Sequence, residues 1–302
     1  MSKRKEKALE AAKGDQLFEI LSRLFALLVL TIALGGFVTL TVLSWPSIKT
    51  FGLSFMWTKT WDPVAGKFGA LPFVVGTLVT SFLALLISTP FSLGTALFLA
   101  EYAPKSLKGI MGFTVELLAA IPSVIYGLWG IFFLVPLVRK MEIALSLPPY
   151  GVGAFTASLI LAIMILPYAT SVTEAVVSLV PEELKEGAYA LGATRWEVTR
   201  YIIIPYARSG IFAGTILALG RALGETMAVT MVIGNRNEIL NSIFAPTNTM
   251  ASVIANEFTE ATSRIYLASL VEIGLILFLI TLVVNILARW ITERLKVQRG
   301  GV

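Results

Sequence analysis

The sequence contains no cysteine and no histidine. That excludes disulfides, thiol chemistry, thiolate or imidazole metal sites and histidine acid/base catalysis within the chain, so neither a catalytic residue nor a metal site is expected. Charge is scarce as well: 14% of residues are charged and 56% are hydrophobic, respectively below and above the shares usual in soluble domains. Nowhere does Gly-x-x-x-x-Gly-Lys-Ser/Thr occur, so the chain lacks the backbone cradle that holds nucleotide phosphates in P-loop proteins. No cofactor is expected on this chain; if ATP drives it, another polypeptide binds the ATP. Membrane lipid is an expected partner and nucleic acid is not.

What is present is long apolar runs. Six charge-poor segments match the roughly 20 helical residues needed to cross a bilayer core. They lie near 20–43, 71–100, 110–138, 152–176, 210–234 and 265–289. The runs are continuous rather than alternating, which argues against barrel strands and for an all-α, polytopic membrane protein with six transmembrane helices. No linker or internal repeat divides the chain, so a single membrane domain over 1–302 is expected. The basic start, MSKRKEKALEAAKGDQ, runs into a long apolar stretch and reads as a tail, 1–19, on a retained first helix rather than a cleaved signal.

Lys and Arg are distributed unevenly between the two sides. The termini side holds Lys3, Arg4, Lys5, Lys7, Lys13, Arg23, Lys105, Lys108, Lys185, Arg195, Arg200, Arg208, Arg289, Arg294, Lys296 and Arg299. The other side holds only Lys49, Lys59, Lys67, Arg139, Lys140, Arg236 and Arg264. The positive-inside rule therefore predicts that both termini, and the insert Pro181 to Gly210, are cytoplasmic. On the opposite side, Trp45, Trp57 and Trp61 suit a headgroup-level aromatic belt.

The insert reads PEELKEGAYALGATRWEVTRYIIIPYARSG. Pro181 followed by Glu182, Glu183 and Glu186 predicts a helix start, because Pro suits the first turn and acidic residues favour the positive helix end. Gly192 offers a turn at positive φ, and Thr194 can cap the next helix. Trp196, Val198, Ile202 and Ile203 put apolar bulk on that second helix, and Pro205 is expected to interrupt it before the next span. Amphipathicity alone fits either a helix seated on a partner or one resting on lipid headgroups.

Arg221 and Glu225 stand inside the fifth apolar run. Arg221 lies eleven residues past Gly210, which is about 16 Å of helix and near the middle of a core about 30 Å thick. A charge there should face a cavity or a partner and not lipid. The four-residue spacing predicts a shared helix face, which suits an intrahelical bridge, although Arg before Glu is the weaker order for one. Alternatively the two line an oxyanion pathway, since the planar guanidinium fork matches phosphate or sulfate oxygens. Glu225 then favours phosphate, which can retain a proton to donate to a carboxylate, whereas sulfate is repelled. Glu116 and Glu272 are secondary intramembrane charges, each readable as structural or as a partner of Arg221. Gly210, Gly214, Ala218 and Ala222 form a small-residue stripe suited to close helix packing, with Gly220, Gly224 and Ala228 beside it.

Two resemblances follow from these motifs. Glu186-Gly187-Ala188, Gly192 and Ile202 to Pro205 resemble the cytoplasmic loop by which ABC importer permeases hold their ATPase subunits, with Gly187 where Ala is usual and Ile204 where Leu is usual. RALGETMAVTMVIGN from Arg221, ELLAAIPSVIYGLWG from Glu116, FGALPFVVGTLVTS from Phe68 and ANEF from Ala255 resemble the C-type permeases of phosphate-specific ABC importers. The connection around Pro148 is shorter than in some members. The resemblance implies a type I ABC importer permease architecture in a bacterial or archaeal cytoplasmic membrane, with a coupling helix in the loop 181–209. It implies Arg221 and Glu225 on the substrate pathway, and Glu186, Gly187, Ala188, Gly192, Ile202 and Pro205 in ATPase coupling. The implied partners are a second homologous permease, two ATP-binding subunits and an extracytoplasmic phosphate-binding protein. Other readings are a permease for sulfate or molybdate, a secondary phosphate transporter with Glu225 as proton carrier, and, least suited to a chain without His or Cys, a membrane-bound enzyme.

Overall fold

The computed structural model describes residues 2–295; Met1, Lys296 and Arg299 of the expected cytoplasmic segments lie outside them. Its helices run in the order α1 (Ser2–Phe51), α2 (Ser54–Trp57), α3 (Leu71–Leu97), α4 (Lys105–Ala120), α5 (Ser123–Trp129), α6 (Val135–Ala144) and α7 (Ala154–Val177). There follow α8 (Glu182–Ala190), α9 (Arg195–Val198), α10 (Ile204–Leu223), α11 (Met227–Val232), α12 (Met250–Glu257) and α13 (Arg264–Leu295). Among the described residues, β-structure is confined to the isolated bridges Asp62–Lys67 and Gly234–Thr247. Among the described residues, six helices are long and apolar enough to cross a membrane: Gln16–Phe51, Leu71–Tyr102, Ser123–Ala144, Ala154–Val177, Arg195–Leu223 and Arg264–Arg294.

The number of spans matches the sequence reading, but the third and fifth are displaced. The run 110–138 is not one helix. It divides at Ile121 and Pro122, where the backbone turns extended (φ −66°, ψ 126° and φ −58°, ψ 139°), so that α4 ends and the span begins at Ser123. Pro122 cannot donate to the Leu118 carbonyl, and its ring crowds that carbonyl, so the helix stops there. The helix that carries the fifth span begins earlier than 210, at Arg195, and ends at Leu223 rather than running on to 234.

Pro205 does not interrupt the helix as expected. The chain widens into a π turn over Thr199–Ile203, and the N–H of Ile204, just before the proline, bonds to the Thr199 carbonyl five residues back. The same device recurs at Phe98–Tyr102, ahead of Pro104, with Ala103 N–H on the Phe98 carbonyl, and at Gly130–Leu134, ahead of Pro136, with Val135 N–H on the Gly130 carbonyl. Ahead of Pro136 and Pro205 the π turn shifts one acceptor past the proline's missing donor, so the helical axis continues where a strict α ladder would break, whereas at Ala103 (ψ 130°) the backbone turns extended and the helix ends.

Three apolar clusters stack along the bundle. At the end away from the insert, Phe55, Trp61, Phe68, Phe73, Met250 and Tyr266 form an aromatic knot. Trp61 is 7% exposed and donates from Nε1 to Glu257 Oε2 at 2.7 Å, so it belongs to this core and not to a surface belt. Trp45 and Trp57 remain exposed. The middle cluster joins α5, α7 and α11, and the third seats the insert on Val177, Val180 and Ala207 through Val198 and Ile203. The small-residue stripe packs on α7 as its spacing predicts: a Cβ at Gly210 would overlap Val176, one at Gly214 would press within 3.1 Å of Val172, and Ala218 and Ala222 are buried.

Candidate functional site: an insert joined to a central arginine

The insert folds as helix, turn, helix. Gly192 makes the turn at φ +86°, a conformation that costs a residue with a Cβ. Thr194 caps α9 by accepting from the Glu197 N–H, while Glu197 Oε2 accepts from the Thr194 N–H at 2.7 Å, a full capping box.

The insert is also anchored from below. Lys185, 5% exposed, donates from Nζ to Glu101 at 2.7 Å and to Glu182 at 3.1 Å. Burial alone would lower the lysine's pKa, but the hydrogen bonds and charges of the two carboxylates reverse that, and the net shift is upward. Tyr102 shares a 3.0 Å hydrogen bond with the Thr199 hydroxyl, so the π turn that ends the second span holds both halves of the insert. Glu186 and Gly187 are exposed, Ala188 half-buried, and a Cβ at Gly187 would meet nothing within 4 Å. Beside them, Leu191 is 90% exposed and Trp196 60%, an apolar surface at the tip of the insert. Ile202 is half-buried and Pro205 is exposed one turn further on.

At the other end of the same helix stands Arg221. Its guanidinium carbon lies 4.3 Å from the centre of the Tyr168 ring, a cation–π contact. Tyr168 lies just past the middle of α7, so Arg221, near the end of its own helix, stands level with the middle of that neighbouring span. Arg221 is exposed, and on its side of α10 a Cβ at Gly220 would meet nothing within 4 Å while Leu217 is 56% exposed. This chain leaves that face open.

Arg221 and Glu225 do not share a helix face. The helix ends at Leu223, Gly224 takes φ −95°, ψ 0°, and Glu225 lies in the connection, with Oε1 3.4 Å from the Ala228 N–H at the start of α11. A glycine followed by residues that bond their own backbone ends a helix that spacing alone would continue. Among the described residues no ion pair joins Arg221 to Glu225, to Glu116 or to Glu272. Glu116 is exposed on α4. Glu272 is 6% exposed and sits against Ser47 of α1, with Oε2 unpaired.

Arg221 and the break at Pro122 are connected. In an unbroken helix the Leu118 carbonyl would accept from residue 122, which is proline, and the Ala119 carbonyl from Ser123. Instead the Tyr126 hydroxyl donates to the Leu118 carbonyl at 2.8 Å and the Tyr168 hydroxyl to the Ala119 carbonyl at 3.2 Å.

A model described as binding-protein-dependent transport system inner membrane component matches residues 92–297. The chain belongs to that family. It is 47% identical over 305 residues to "Phosphate transport system permease protein PstC" of Mesorhizobium japonicum, covering 96% of this chain and 93% of the relative. It is 46% identical to the protein of that name in Haemophilus influenzae, covering 95% of each. Among solved structures, a chain of the MetNI methionine ABC transporter in an inward-facing form superposes with a TM-score of 0.60 at 15% identity, over 78% of this chain and 99% of that one. The fold is thus that of the type I ABC importer permeases.

For this inner membrane component, sequence reasoning singled out the insert and Arg221, which the structure places at the two ends of one helix, but not what holds them. Tyr168, Tyr126 and the Lys185–Glu101 pair are partners across 49, 8 and 84 positions of chain. Only the proline at 122 hinted at the carbonyls the tyrosines satisfy.

Proposed function

We infer that the chain is a transmembrane permease subunit of an ATP-driven importer that carries inorganic phosphate across the cytoplasmic membrane. What carries this reading is the 46–47% identity to phosphate transport permeases over nearly the whole chain, together with an arginine, level with the middle of the neighbouring span, whose face is open. ATP is bound and hydrolysed on partner subunits, and this chain is not itself an enzyme. A second permease of the same kind covers the open face of α10, two ATP-binding subunits seat on the paired inserts, and a phosphate-binding protein delivers substrate outside. The termini and the insert 181–209 are cytoplasmic, in keeping with the lysine and arginine count.

The arrangement suits such a machine. A partner grips α8 around Glu186, Gly187 and Leu191, and α8 is bound through Gly192 to a helix that runs unbroken from Arg195 to Leu223, 29 residues or about 43 Å at the helical rise. Displacing the insert therefore moves Arg221 as part of one rod. A phosphate arriving beside Arg221 finds guanidinium donors, and the carboxylate of Glu225 at the helix break accepts a hydrogen bond from the O–H that phosphate retains and sulfate lacks. The deciding experiment reconstitutes the chain with its partner permease, ATPase and binding protein and compares ATP-dependent uptake of phosphate and sulfate. Phosphate uptake is expected; sulfate uptake without phosphate uptake, or phosphate uptake driven by a proton gradient in this chain alone, would overturn the assignment.

A further inference from the structure

Arg221 makes no hydrogen bond to any described residue; what it touches is the face of the Tyr168 ring, 4.3 Å from the ring centre. The distinction matters chemically. A guanidinium has its donors in its plane, whereas a ring holds it through its face. A carboxylate partner would fix Arg221 by consuming the donors an oxyanion needs. An aromatic ring restrains it and leaves them free.

The ring itself is tied down. Its hydroxyl donates to the Ala119 carbonyl at 3.2 Å, in the last turn of α4, where the break at Pro122 frees carbonyls of their helical donors. Tyr126 takes the neighbouring carbonyl, Leu118, at 2.8 Å. An exposed ionic or water contact would not need this geometry: the hydroxyl that registers the ring belongs to the same side chain that faces the cation.

We propose that Tyr168 is a positioning residue for the transported oxyanion, holding the Arg221 guanidinium by its face so that its edge meets the substrate. This rests on Arg221 lining the pathway. The test uses the whole reconstituted transporter and reads phosphate moved per ATP hydrolysed, alongside recovery of the assembled complex. Tyr168→Leu, or Tyr168→Met as the straighter replacement should Leu impair assembly, is expected to lower that ratio about tenfold. Tyr168→Phe keeps the ring and is expected to stay within about threefold of the parent. Tyr168→Leu combined with Arg221→Ala should be no worse than Arg221→Ala alone, because the ring then has nothing to hold. A parental ratio for both Leu and Met beside a defective Arg221→Ala would overturn the role of Tyr168 and leave Arg221 in the pathway. A parental ratio for Arg221→Ala would overturn the pathway reading, and this one with it. Equal loss in Phe and Leu would show that the hydroxyl, not the ring face, acts.

Discussion

The helix from Arg195 to Leu223 is held in opposite ways at its two ends. At the insert, polar groups on both sides of the turn are paired: a capping box at Thr194, a buried lysine between two carboxylates, a tyrosine on the Thr199 hydroxyl. At the other end the helix stops at a glycine, and its arginine keeps its donors unspent over an aromatic ring. On the proposed function, the difference separates transmission from recognition. An end that must pass on movement is saturated with short, charge-assisted contacts. An end that must bind and release an anion cannot be, because each internal partner would compete with the substrate.

The largest effect that would test this contrast is at the open end. Arg221→Ala should cut phosphate uptake by more than about thirtyfold, as loss of a charged partner in a dry site does. Glu225→Gln should cut uptake too, while both variants still assemble with the ATPase. Uptake at the parental rate in both would return the pair to a structural role.

Next comes the saturated end. Lys185→Met strands the Glu101 carboxylate, whose side chain is 14% exposed, at a cost of about 3 kcal/mol to the anchoring of α8. Faster hydrogen exchange in α8, with the exchange of α7 unchanged, is the expected reading. The pH dependence has a definite sign. Because the folded pKa of Lys185 lies above its ordinary 10.5, its contribution is complete below 10.5 and is lost as pH rises through the raised value. The absence of cysteine makes this measurable with a single spin label on Leu191→Cys. Its mobility should be flat across neutral pH and rise only above about 10.5; a rise below pH 9 would contradict the anchoring.

How far this contrast was legible in the sequence depends on the range of the contacts. Gly192, Thr194 and the stripe from Gly210 to Ala222 act through neighbours within a few residues or through one helix face, and period and turn chemistry found them. Hydropathy also counted the spans, because it measures transfer to lipid. It could not place the breaks, since a bilayer scale records the carbon of Pro122 and not its missing donor. Nor is proline by itself a signal: Pro46, Pro90 and Pro167 sit inside intact helices. What distinguishes Pro122 is a pair of tyrosine hydroxyls ready to take the freed carbonyls, one of them from another helix. Trp61 was misread for the same reason, its partner Glu257 being 196 positions away.

The smallest effects sharpen the comparison within the insert itself. Gly192→Ala forces a Cβ into φ +86° and should cost about 1 kcal/mol of insert stability. Gly187→Ala should cost nothing in this chain, since no atom lies within 4 Å of the added carbon. Both substitutions add the same methyl group within five residues of each other, so size cannot explain a difference between them. Binding of the ATPase subunit, followed by co-purification, should fall for Gly192→Ala and hold for Gly187→Ala. If instead Gly187→Ala loses the partner while Gly192→Ala keeps it, the grip lies in close backbone approach at α8 and not in the bend, and the saturated end would transmit through its surface rather than its shape.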